Sequence, residues 1–282
     1  MSQPYEGSSQ KYDVICRSNV RVPMRDGVQL ATDIYFPAVA DQPAAGQFPI
    51  ILERTPYDKA AAGNVRNGKY FARRGYICAI QDVRGRFESE GEWYPFAKEA
   101  PDGYDTVEWL AAQPWSNGQV GTMGGSYCGS DQSALATLNP PHLTTMIVAV
   151  GAASYYHASM RQNGALEQRF IIYAFRMATT SKEALADAGL KATLTKAYEN
   201  VGVWLTRLPF KKGASPLRLL PSYEQWVLDI LTHGEFLEEV KQRHREMEAA
   251  FMEMGEIPEA RTRFEKTRRK MVDDLLAAPP KD

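Results

Sequence analysis

The chain has 282 residues, of which 44% are hydrophobic and 24% charged, the make-up of a globular protein and not of a disordered, collagen-like or disulfide-stapled one. Its 33 basic side chains nearly cancel 34 acidic ones, which excludes the cationic surplus of a nucleic-acid or membrane-surface binder and leaves a small-molecule or peptide-like substrate. Three cysteines, Cys16, Cys78 and Cys128, stand far apart with no histidine pair beside them, so neither a disulfide framework nor a metal or cofactor site is expected.

In chain order, residues 19–24 and 28–35 are β-prone and flank Arg25-Asp26-Gly27. Asp-Gly between such runs signals a hairpin, so an antiparallel start is expected. Residues 48–53 and 76–81 are short apolar runs of the kind buried on both sheet faces, with a helix expected at 68–74 between them. A helix over 102–113 stops at Pro114, strands are expected at 119–123 and 143–150, and a helix at 127–138 joins the last two. Alternating strands and helices predict a mostly parallel α/β sheet over residues 1–153. Beyond about Ser154 the pattern turns helical, at 166–177, 182–203 and 223–231, with no convincing strand. Residues 154–234 are therefore expected as a separate helical region. The tail, 235–282, reads as two highly charged helices divided at Pro258, a solvated or assembly face rather than a catalytic one. The first 13 residues are polar, and the longest apolar run, at about 146–153, is well short of a membrane span. The expected location is the cytoplasm.

The chemistry concentrates in Gly121-Thr-Met-Gly124-Gly125-Ser126-Tyr127-Cys128-Gly129, between an expected strand and an expected helix. A serine is a poor nucleophile until a base takes its proton and donors stabilise the oxyanion formed on the substrate. A tight strand-to-helix turn exposes Ser126 and aims the Tyr127 amide, at a helix N-terminus, toward that developing charge. The usual pattern has glycine two residues after the serine. Here Cys128 stands there and Gly129 follows, so by spacing alone a glycine-rich packing turn remains the rival reading.

Gly124-x-Ser126-Tyr127-x-Gly129 resembles the serine motif of the cocaine esterase and X-prolyl dipeptidyl aminopeptidase group of α/β-hydrolases (CocE/NonD type), in which the second glycine is one place later. Other segments resemble the group in the same order: Val22-Pro-Met-Arg-Asp-Gly27, Arg54-Thr-Pro-Tyr57-Asp-Lys59, Gln81-Asp82-Val-Arg84-Gly85 with Ser89-Glu90-Gly91, and residues 105–118. The resemblance runs from about Asn19 to Val150 and implies an incomplete α/β-hydrolase sheet followed by a helical cap. It implies a Ser-His-Asp acyl hydrolase, with Ser126 as nucleophile and Tyr57 donating its hydroxyl to the oxyanion beside the Tyr127 amide. Asp82 and Arg84 are expected as a charge pair bracing the loop next to the serine.

The chain departs from this group after Ser126. Neither an acid-bearing turn nor a histidine-bearing turn like the group's is found, and its C-terminal jelly-roll domain has no counterpart. Of four histidines, His142 is expected at the surface on the far side of the sheet, and His233 and His244 in charged helical surroundings. His157 follows the 143–150 strand and is the expected pocket-lining or replacement base. Two readings stay open: a serine esterase or amidase whose base comes from His157 or from another chain, or a catalytically incomplete hydrolase-like chain, a truncated product or an assembly subunit. A sheet without its later strands needs a cover, which points to the charged tail or to a homo-oligomer built through it.

Overall fold

The computed structural model of the chain describes residues 8–152, 159–162, 165–207 and 210–231. The hairpin is present: β1 (Asp13–Pro23) turns at Arg25-Asp26-Gly27 and returns as β2 (Gln29–Val39). Both strands outrun the β-prone runs. A bulge between Arg17 and Val20, with Asn19 at φ 56° and its N–H bonded to Asp33, bends β1 without ending it. A two-residue strand, β3 (Gln42–Pro43), adds to β2.

Four parallel strands form the centre: β4 (Phe48–Thr55), β5 (Ile77–Asp82), β6 (Ser116–Gly125) and β7 (Leu143–Ala149), in the spatial order β1-β2-β5-β4-β6-β7. With the antiparallel N-terminal strands the sheet is mixed. The chain passes from β4 to β5 on one side and then to β6 on the other. Strand order therefore reverses at β4, and the carboxyl ends of β4 and β6 open onto one crevice.

Three helices cover this sheet: α1 (Ala62–Ala72), α2 (Glu99–Ala111) and α3 (Tyr127–Ala136). Helix α1 begins well before the expected position, because Gly68 lies inside it. A Cβ there would meet the Tyr35 ring at 2.4 Å, so the glycine lets the helix sit close on β2. On the opposite side Val107 and Leu110 of α2 and Leu135 of α3 pack on Ile34, Ile50, Leu52 and Val120.

Several buried charges of the core are paired. Arg54 bonds Gln81 and the Glu99 carbonyl and meets the Glu99 carboxylate at 3.0 Å, which ties the start of α2 to β4 and β5. Asp82 and Arg84 do not pair with each other, contrary to the expected brace. Asp82 holds Lys59 at 3.2 Å, and Arg84 holds Asp102 at 2.7 Å and Asp26 at 2.9 Å. Arg84 lies past the end of β5, in a turn, so the strand pleat does not place the two side chains together and each finds its own partner.

Strand β7 lies at the sheet's end and pairs, among the described residues, with β6 alone. Its apolar side chains are open to solvent, Ile147 at 65% exposure and the following Val150 at 90%.

Past β7, the expectation of no strand is corrected by a two-residue ladder, β8 (Arg161–Gln162) with β9 (Ala165–Leu166). Then come α4 (Arg169–Ala178), α5 (Lys182–Ala186), α6 (Ala188–Glu199), α7 (Gly202–Leu205), a 3₁₀ turn (Pro216–Leu219) and α8 (Pro221–Leu231). The single helix expected over 182–203 is broken at Asp187. This residue is extended (φ −129°, ψ 108°), and its carboxylate caps the next helix by accepting from Gly189 and Leu190.

One apolar cluster joins the regions, packing Val83, Trp93 and Tyr127 with Phe175, Tyr223 and Trp226. Through it runs Arg86, fully buried, which donates to the carbonyls of Pro56 and Met177 and to the hydroxyls of Tyr223 and Thr180. No helix among the described residues is long and apolar enough to cross a membrane. His157, His233, His244 and the tail 235–282, with the oligomer expected through it, lie outside the described residues.

Candidate active site

Ser126 sits at the junction of β6 and α3 with φ 58° and ψ −116°, a backbone state that non-glycine residues hold only when the surroundings enforce it. What enforces it is visible. The Ser126 N–H donates to Ala149 O on β7 at 2.9 Å, and its carbonyl accepts from Gly129 N–H and Ser130 N–H as α3 begins. The Ser130 hydroxyl bonds the same carbonyl and accepts from Ala152 N–H.

The glycine spacing also has a steric cause. Gly124 has φ +151°, and a Cβ on it would lie 2.5 Å from Cys128 Cβ. A Cβ on Gly129 would lie 3.0 Å from both Ala149 O and Gly151 Cα. The side chain at position 128 fits because 124 is bare, and the second glycine is required one residue later, where α3 passes over the end of β7. Gln132 completes the junction by donating to Cys128 O at 2.7 Å while accepting from Thr122.

The Tyr127 amide stands at the first position of α3, where an N–H has no acceptor within the helix. The Tyr127 side chain turns inward. Its hydroxyl donates to Glu99 at 2.6 Å and accepts from Phe96 N–H, and its ring stacks on Phe96 with centroids 4.2 Å apart. Arg54, Glu99 and Tyr127 thus anchor the serine turn from below.

Tyr57 follows β4 and reaches the same crevice. With Ser126, Tyr127, Ser130, Tyr173, Arg176 and neighbours it lines a cavity of about 250 Å³. Burial pushes its phenol above the ordinary tyrosine value, against the lowering influence of Tyr173, Arg176 and Ser126. At neutral pH the phenol keeps its proton and is a donor. Tyr173 O–H stands 3.5 Å from it. The Cys128 thiol, buried beside the turn, is also pushed up and stays protonated, so it is no rival nucleophile.

The histidine within the described residues, His142, is at the amino end of β7, where Nδ1 meets Glu108 at 2.7 Å. Ser126 follows the opposite end of the neighbouring strand, roughly 20 Å away along the sheet at about 3.3 Å per residue. The cavity also draws on residues that sequence reasoning did not single out. Arg169, Tyr173 and Arg176 come from α4 at i, i+4 and i+7, one face of a helix.

A model of the X-Pro dipeptidyl-peptidase (S15) family matches residues 26–252. The chain belongs to that family. Cocaine esterase of Rhodococcus sp. (strain MB1 Bresler) is 41% identical over 145 residues, covering 50% of this chain and 24% of the esterase. A putative serine esterase of Mycobacterium bovis is 33% identical over 146 residues, 44% of this chain and 23% of that protein. The matched stretch therefore spans about a quarter of the length of these relatives. Among solved structures, an α-amino acid ester hydrolase superposes with a TM-score of 0.50 at 29% identity, over 63% of this chain and 31% of that one. A CocE/NonD family hydrolase of Staphylococcus aureus gives 0.54 at 26% identity, over 61% of this chain and 34% of that one. These likenesses agree with the motif resemblance and with an α/β-hydrolase-type fold.

Proposed function

We propose that the chain is a serine acyl hydrolase acting on small esters or amides through a Ser126 acyl-enzyme. The observation that carries this reading is the enforced backbone of Ser126, which presents its side chain to a cavity shared with a protonated Tyr57 phenol. In the reaction, Ser126 Oγ bonds to the substrate's carbonyl carbon and gives its proton to a general base. The carbonyl oxygen becomes an oxyanion that the Tyr57 O–H and the Tyr127 N–H stabilise. Collapse expels the alcohol or amine with a proton, and water then hydrolyses the acyl-serine.

The base is the open part. His157, a few residues past β7, is the candidate within the chain. The second reading, a chain that carries nucleophile and oxyanion donors and takes its base from elsewhere, is favoured by the place of His142 at the far end of the sheet.

The test is the burst of 4-nitrophenol from 4-nitrophenyl acetate together with labelling by a fluorophosphonate. A stoichiometric burst and label, both lost in Ser126→Ala, are expected. A burst and label unchanged in Ser126→Ala overturn the proposal. Loss in His157→Ala as well identifies the base, whereas retention supports a base from outside the chain.

A further inference from the structure

Asp131 is a buried acid that the serine turn does not use. It stands on α3, on the helix that Ser126 begins, with 2% of its surface exposed. Among the described residues its Oδ2 has no hydrogen-bond partner and its carboxyl no ion pair. A carboxylate so buried is costly unless a cation answers it. The charged and titratable groups facing it come from few elements. β4 brings Arg54 and Glu53, α2 brings Glu99, and α3 itself brings Tyr127 and the protonated Cys128. Asp102 of α2 is held by Arg84, and β6 and β7, the other strands packed on α3, carry no titratable side chain.

The cation of this group, Arg54, is already engaged. Its Nε goes to Gln81 and its Nη1 to the Glu99 carbonyl, while Nη2 meets Glu99 Oε2 at 3.0 Å. The other Glu99 oxygen takes the Tyr127 hydroxyl at 2.6 Å. The Nη2–Oε2 contact lacks hydrogen-bond alignment, so charge alone holds it. Arg54 ends where α2 crosses α3: a Cβ on Gly103 would lie 3.2 Å from Nη1 and 3.1 Å from Leu135 Cβ, and Leu135 is one helical turn beyond Asp131. One guanidinium between two buried carboxyls balances one negative charge and not two.

We infer that Asp131 is kept in the folded chain as the neutral acid, and that its proton leaves Arg54 to Glu99, which makes Asp131 a pH-sensitive brace under the serine turn. Burial pushes its carboxyl well above the ordinary value, Arg54 pulls it down, and Glu99 and Glu53 add to the rise. When the proton is lost, Asp131 and Glu99 compete for Nη2, and Tyr127 is drawn in because its hydroxyl ends on Glu99. Any effect on the Tyr127 amide as oxyanion donor rests on the acyl-hydrolase reading, whereas the proton on Asp131 does not. The folded value lies above the unfolded one, so the stability Asp131 contributes is whole below about pH 4 and is lost as pH rises toward the folded value. Over that interval folding takes up one proton.

The test is urea unfolding, from about pH 5 to about pH 8, of the unmodified chain and of Asp131→Asn, which is neutral at every pH. The unfolding constant of the unmodified chain, divided by that of Asp131→Asn, is expected to rise about tenfold per pH unit. The titration of Asp82 and of other groups cancels in this ratio. A ratio that does not change with pH overturns the inference, because an Asp131 ionised against Arg54 binds no proton in either state over that range. In Glu99→Gln protein Asp131 becomes the carboxylate that answers Arg54, and the ratio between Glu99→Gln and Glu99→Gln/Asp131→Asn is expected to flatten. A slope undiminished there overturns the sharing of Arg54. If the variants do not fold, the infrared carbonyl band of a protonated carboxyl decides on the unmodified chain. At about pH 8 the Asp82 carboxyl, raised to about 6, is ionised, and a band that shifts when aspartate carries carbon-13 in its side-chain carboxyl is expected from Asp131. Absence of that band overturns the inference.

Discussion

The sheet and the helical region hold their buried cations in different ways. In the sheet region each is matched by carboxylates: Arg54 by Glu99, Lys59 by Asp82, Arg84 by Asp102 and Asp26. Where the helices meet the sheet, Arg86 is held by carbonyls and hydroxyls. Carboxylates titrate and carbonyls do not. The comparison teaches that the carboxylate pairs of the sheet can respond to pH, while the carbonyl and hydroxyl partners of Arg86 do not. It also divides the cavity: the sheet side supplies Ser126 and Tyr57, and α4 supplies Arg169, Tyr173 and Arg176.

The largest expected effect tests that division on its chemical side. Tyr57→Phe removes the proposed oxyanion donor and is expected to slow acylation by 4-nitrophenyl acetate about 10²–10³-fold, with little change in melting temperature. Loss of stability without loss of rate would make Tyr57 a packing residue. Next is the joint. Arg86→Met leaves buried acceptors on Pro56 and Met177 without their donor and is expected to cost roughly 2–4 kcal/mol in urea unfolding. If the helices depend on Arg86 more than the sheet does, proteolysis will release the α4–α8 region before the sheet opens.

The smallest effect separates the regions by pH. Burial pushes the Asp82 carboxyl up to about 6, against the opposing pull of Lys59. Its folded value lies above the unfolded one, so its contribution to stability is whole below about pH 4 and is lost as pH rises through about 6. Asp82→Asn keeps an acceptor for the Lys59 N–H and is expected to flatten that slope, on the order of 2–3 kcal/mol between the two limits. An unchanged slope would place the pH response elsewhere.

The two regions were also unequally legible in the sequence. The strands at 48–53 and 76–81 could be read because apolar runs buried on both faces declare themselves locally, and Asp26-Gly27 marks its own turn. The serine turn was legible from its glycines, although the reason for Gly129 lies in the 3.0 Å that would separate a Cβ there from Gly151 Cα, which no local pattern carries. The partners of Asp82 and Arg84 were not legible, since Arg84 lies in a turn past the end of β5 and its partner Asp102 arrives from α2. In the helical region the break at Asp187 was available as a capping residue but was outweighed by the helical periodicity around it. The α4 face was available as an i, i+4, i+7 pattern. Its meaning depends on Tyr57, 116 residues earlier than Tyr173, and only the folded chain brings them together.

Strand β7 has one more consequence. Residues 143–149, Leu-Thr-Thr-Met-Ile-Val-Ala, contain no charge and no proline, the two devices by which edge strands refuse to template another strand. Among the described residues β7 is an edge, so its unpaired N–H and C=O groups are open in the folded chain as well as in unfolding intermediates. Solubility should fall with protein concentration at temperatures where the fold is intact. A single Ile147→Lys, at a side chain already 65% exposed, should raise the concentration at which light scattering appears without moving the unfolding transition by more than about 0.5 kcal/mol.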